Sequence, residues 1–69
     1  MAEEIHEGDH VRWKSHGGQA EGPVLREITE DTEAAGRTVR ASEQEPQYEV
    51  RSDTSGGTAV HRPGALQQD

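Results

Sequence analysis

Apolar residues fall at every second position within short segments of this chain, and clusters of turn-forming residues separate those segments. A repeat of two marks strands with one buried face, because successive side chains on a strand point to opposite sides. In QYEVRS, residues 47–52, Tyr48 and Val50 point one way and Gln47, Glu49 and Arg51 the other. HVRWKS, residues 10–15, sets Val11 and Trp13 inward against Arg12 and Lys14 outward. RTVRAS, residues 37–42, places Val39 and Ala41 on one face, and TAVHR, residues 58–62, carries Val60 as its single large apolar residue. GPVLREIT, residues 22–29, fits less well: Val24 and Ile28 share a face with Arg26, while Leu25 lies opposite. A bulge or strong bend after Gly22 and Pro23 reconciles these positions, as in the long second strand of small barrels.

Turn chemistry divides the five segments: HGG at 16–18, TEDTEAAG at 29–36, EQEP at 43–46 and SGG at 55–57. TEDTEAAG has the residues to close one helical turn, with Thr29 as cap, acids early and Gly36 as terminator. Pro63 opens a last turn, PGAL, whose Leu66 is placed to plug an open barrel end. Five short strands with no room for a second layer predict an all-β fold, a single five-stranded SH3-like barrel over residues 8–66 with a short C-terminal helical turn. Residues 1–7 read as a flexible N-terminal segment and 67–69 as a disordered tail.

Composition narrows this picture. Only nine of the 69 residues are Val, Ile or Leu, and there is no Phe, so the core must be thin. With a net charge of -7, such a composition lies in the range of unfolded chains, and sheet hydrogen bonds and good turns must help the core hold the fold. The absence of cysteine rules out disulfides and thiolate metal sites. MAEEIHEG has no basic start followed by an apolar run, and no segment approaches membrane-spanning length, so a cytoplasmic protein without membrane association is expected.

Candidate chemistry is sparse. No nucleophile and base stand at a recognisable spacing, and no phosphate loop or zinc-protease motif occurs, so no enzyme activity and no cofactor are expected. His6, His10, His16 and His61 lack a zinc-ligand spacing and read as surface residues. Glu30, Asp31 and Glu33 do not fit a calcium loop and read as a solvated acidic loop. Trp13 and Tyr48 both fall on the apolar face and read mainly as packing, with one edge of the indole free to border a groove. Arg12, Lys14, Arg40 and Arg51 occupy outward strand positions and form a second candidate, a basic face, although pairing with Glu49 accounts for some of them.

GDHVRW with the HGG after it, GPVLREITEDT, GRTVRAS, PQYEVRSD, SGGTAVHRP and the final AL resemble, in that order, a family of short proteins named for a hypervirulence-associated Tudor-like domain. The resemblance runs from about Gly8 to Leu66 and implies an SH3-like or Tudor-like β-barrel. It carries no catalytic or binding residues over. Readers of methylated lysine in other Tudor domains enclose the cation with three or more aromatic faces, and two aromatic residues do not suffice. The expected function is therefore a monomeric, non-enzymatic interaction module for a peptide or protein partner, with contacts at Trp13, Tyr48, His16, Gly17 and Gly18. The alternative is a nucleic-acid accessory role for the basic face, which the overall negative charge disfavours.

Overall fold

The computed structural model describes residues 5–15 and 17–68. The chain is mostly β: strands β1 (His10–Ser15), β2 (Gly18–Ile28), β3 (Thr32–Ala34), β4 (Arg37–Val39), β5 (Gln47–Arg51), β6 (Thr58–His61) and β7 (Gln67–Gln68). A single 3-10 turn, Pro63–Ala65, leads from β6 toward β7. The strands form a five-stranded antiparallel sheet in the order β6-β5-β2-β1-β7, and a separate β3-β4 hairpin. No described helix is long and apolar enough to cross a membrane.

The five strands of the sheet are not the five that alternation predicts. Residues 37–42 supply only the short β4, which pairs with β3 outside the main sheet, and the fifth place is taken by Gln67–Gln68. The predicted helical turn at 29–36 is instead β3 followed by a tight reversal, with Ala34 opposite Arg37 and positive φ at Ala35 (51°) and Gly36 (76°). Two consecutive positive φ angles match the twist of a two-residue hairpin loop. The expected ends are also ordered where they are described. Ile5 is buried in the core, the Gly8 amide donates to the Val24 carbonyl at 2.8 Å, and Gln67 and Gln68 pair with Arg12 and Val11.

The sheet is curled but does not close into a barrel, since β6 and β7 share no hydrogen-bonded ladder. Strands ~4.8 Å apart would hold β1 and β6, three places from each other, at roughly 14 Å in a flat sheet. The rings of Trp13 on β1 and His61 on β6 instead approach to 5.9 Å between centroids. Gly22 permits the curl: a Cβ there would overlap the Arg51 carbonyl of β5.

The bulge in β2 has a larger consequence than reconciling an awkward pattern. The β2-β5 register shifts between Val24 and Arg26, so Val24 lies opposite Val50 and Ile28 opposite Gln47. Paired residues share a face and neighbours alternate, so the shift sends Val24 and Ile28 to opposite faces of the sheet, not the same one. Two apolar clusters result. Ile5, Val11, Trp13, Val24, Tyr48, Val50 and Leu66 pack on the inner face of the curl. Ile28, Ala34, Val39 and Val60 pack on the other face, beneath the β3-β4 hairpin. Leu66 follows the 3-10 turn and is buried in the first cluster, as the PGAL reading anticipates.

Candidate functional site

β1 builds the site. One side of this strand pairs along its whole length with β2, from His10 opposite Pro23 to Ser15 opposite Gly18. On the other side β7 reaches only Val11 and Arg12. The chain leading into β7 has already turned away as the 3-10 turn, so among the described residues Trp13–Ser15 forms a strand edge without a neighbouring strand. Beside this edge lies a cleft of about 260 Å³, at the seam where the curled sheet stays open. Arg12, Trp13 and Lys14 border it from β1, Gln19 from β2, His61 from β6, Gly64 and Ala65 from the 3-10 turn, and Gln67 from β7.

Trp13 is 6% exposed, so the ring is core first and contributes only a sliver of surface to the cleft. Its neighbour His61 arrives by register. His61 pairs with Tyr48, sharing its face, whereas Val60 turns to the opposite cluster. Burial, with help from the Arg37 guanidinium, lowers the His61 pKa below the ordinary imidazole value. The imidazole beside Trp13 is therefore held toward its neutral form, with one nitrogen able to donate and one to accept.

The structure separates the residues that the sequence groups together. Tyr48 belongs to the same cluster as Trp13 but does not line the cleft, and its hydroxyl donates to Glu27 Oε2 at 3.1 Å. Gly17 and Gly18 are exposed in the β1-β2 turn with φ of 88° and 155°, and they serve the reversal rather than the cleft. His16 lies outside the described residues. The four basic residues do not border one common cleft. Arg12 and Lys14 border the seam cleft; Arg40 borders a second cleft of about 230 Å³ with Arg62, Glu45 and Pro46; Arg51 lines neither. Glu49 pairs with Arg26, Nε to Oε1 at 2.8 Å, and not with any of these four.

His61, Gln19, Gly64, Ala65 and Gln67 are the lining residues that alternation alone does not single out. The place of His61 follows once TAVHR is set in register against QYEVR, because it then faces the same way as Tyr48. Gln19 follows from the β1-β2 register, which sets it opposite Lys14; the other three depend on where β7 ends and on how the 3-10 turn crosses the seam, for which no local pattern exists.

Acidic groups gather at the opposite end of β1. His10 Nε2 lies 3.0 Å from Asp53 Oδ2 and 3.9 Å from Glu21 Oε2. Asp9 Oδ2 accepts from the His6 amide at 2.8 Å and from Gln68 Nε2 at 3.1 Å, which ties the N-terminal segment to β7. Asp31, from the acidic loop, accepts from the Ala41 amide at 3.1 Å and so has a structural task. Among the described residues no three His, Asp or Glu side chains come together in a group able to hold a metal ion.

No curated protein and no solved structure matches this chain. Residues 8–66, from the turn before β1 to the buried Leu66, match the profile of the family described as hypervirulence associated proteins TUDOR domain. The match covers nearly the whole chain and takes in every described element except β7. The chain belongs to the Tudor-domain family of hypervirulence-associated proteins.

Proposed function

We propose that this domain is a binding module without chemistry of its own, which receives an extended segment of a partner protein at the seam cleft. The observation that carries this reading is the strand edge Trp13–Ser15, without a neighbouring strand among the described residues and bordered by a cleft to which Trp13 and His61 contribute. A partner segment added there would continue the line of β7. Backbone hydrogen bonds would supply affinity and the cleft would accept alternate side chains. In this reading the curled sheet is an SH3-like, Tudor-like barrel whose closure is left to the ligand.

The nucleic-acid reading has less support, because its four cations are divided among two clefts and a site outside both. Titrating the full chain with a blocked hexapeptide of alternating Thr and Gln, followed by backbone amide spectra, tests the proposal. The expected shifts centre on Trp13–Ser15, Gly64 and Ala65. Shifts confined to the Arg40–Gln47 cleft would place docking elsewhere, and an unchanged spectrum would remove the reading.

A further inference from the structure

Acidic residues outnumber basic ones by 14 to 7 in this chain, yet no carboxylate is among the described residues that border the seam cleft. Two cations are, Arg12 and Lys14, and both stand on β1, where the open edge begins. The second cleft differs in this respect, because Glu45 stands there with Arg40 and Arg62. An acidic molecule thus sets positive charge along the rim of one groove, although Glu21 of β2 stands opposite Arg12 on the other side of β1.

Strand geometry converts this into a pattern for the occupant. On the open edge, beyond the place that Gln67 takes opposite Arg12, the residue of an added strand opposite Lys14 points outward with it, and those opposite Trp13 and Ser15 point inward, because directly paired residues share a face. We infer that the segment bound at the seam is acidic, an extended stretch in which Asp or Glu alternates with uncharged, β-branched or small residues. An acid opposite Lys14 also lies diagonally across from Arg12, within reach of its long side chain, and the uncharged residues enter the cleft over Trp13 and His61. A second copy of this chain does not suit the edge. Two β1 strands paired antiparallel along Trp13–Ser15 would set Lys14 directly against Lys14, and like charges opposed across strands are destabilising.

This inference rests on peptide docking at the seam, so the experiment must separate the two ideas. Blocked hexapeptides of alternating Thr-Glu, Thr-Gln and Thr-Lys are titrated against the full chain at about 50 mM salt, with an oligothymidylate as a fourth ligand. Trp13, the sole tryptophan, reports binding by its emission. The Glu peptide should bind best and the Lys peptide worst, about tenfold apart for rim charge attracted in one case and opposed in the other. Lys14→Glu should reduce or reverse that order with the fold intact by circular dichroism. Equal affinities for all three peptides would overturn the acidic inference and leave docking standing. Failure of all three would overturn both, and tighter binding of the oligothymidylate would transfer the site to nucleic acid.

Discussion

The two faces of the sheet solve the same problem by different means. The inner face holds both aromatic rings and gains its cover at long range: β1 curls toward β6, Ile5 and Leu66 arrive from the two ends of the chain, and a cleft remains at the seam. The outer face holds only Ile28, Ala34, Val39 and Val60, and one local hairpin covers them. Arg37 of that hairpin also donates to the Val60 carbonyl of β6 at 3.0 Å, so a side chain occupies part of the other sheet edge. The edge at β6 is thus engaged by its own chain, whereas Trp13–Ser15 of β1 has no neighbouring strand among the described residues. A small core can be completed on one face and still keep an opening on the other.

Both solutions depend on the approach of β2 to β5 at Gly22, so the largest effect is expected there. A methyl group at this position meets backbone, which cannot swing aside as a side chain can. Gly22→Ala should therefore abolish the folded state, seen as loss of the strand signal in far-ultraviolet circular dichroism and as red-shifted Trp13 emission. A Gly22→Ala protein with the parent's melting temperature would show that the strands can part there and that the curl has another origin.

The next comparison removes one member of each cluster. Trp13→Ala on the inner face should cost ~3–5 kcal/mol, enough to leave so small a domain largely unfolded. Val39→Ala on the outer face, with less volume removed, should cost ~1–3 kcal/mol. Urea unfolding followed by circular dichroism gives both values. The reverse ranking would mean that the hairpin, and not the curl, is the foundation of the fold.

The contrast between the faces also explains what could be read from the sequence. The inner face was legible because Val11 with Trp13, and Tyr48 with Val50, alternate cleanly inside single strands. Leu66 could be anticipated because Pro63 and Gly64 mark the turn that delivers it. The outer face was not legible: the sequence suggests a bulge or bend after Gly22 and Pro23, but only the partner strand shows that the register shifts between Val24 and Arg26 and reverses the sense of alternation. The β3-β4 hairpin was missed for a chemical reason. Its turn carries Ala35 where Asn or Gly is usual, and the acids before it suggest the first turn of a helix. For the candidate site, Trp13, Arg12 and Lys14 were visible in sequence, whereas His61 required the β5-β6 register, and Tyr48, grouped with Trp13 in the sequence, does not border the seam cleft.

A weaker perturbation works through charge. His61 has its pKa lowered in the folded protein, first by burial and then by Arg37. The unfolded chain therefore binds a proton more readily, and stability rises with pH across the interval between the folded and the unfolded pKa of this residue. The contribution is intact above the ordinary imidazole range and is lost as acid brings the pH down through it. Arg37→Met should cost ~1 kcal/mol by removing the bond to Val60. It should also raise the His61 titration midpoint in proton spectra, yet leave it below the ordinary value, because burial, the larger cause, persists. A midpoint that does not move would disconnect the hairpin from the cleft electrostatically.

The smallest effect is a gain, and it asks whether the faces act independently. Ala35 adopts φ of 51°, a conformation that crowds a methyl-bearing residue and that Asn tolerates better. Ala35→Asn should stabilise the domain by up to about 1 kcal/mol, since the strain it relieves is of that order. The hairpin lies on the outer face and the cleft opens from the inner one, so this gain should appear in urea unfolding while the affinity for an acidic extended peptide stays unchanged. A variant that became more stable and also bound more tightly would show that tightening the hairpin reaches the seam, by way of Val60 beside His61, against which Arg37, Ala34 and Val39 are held.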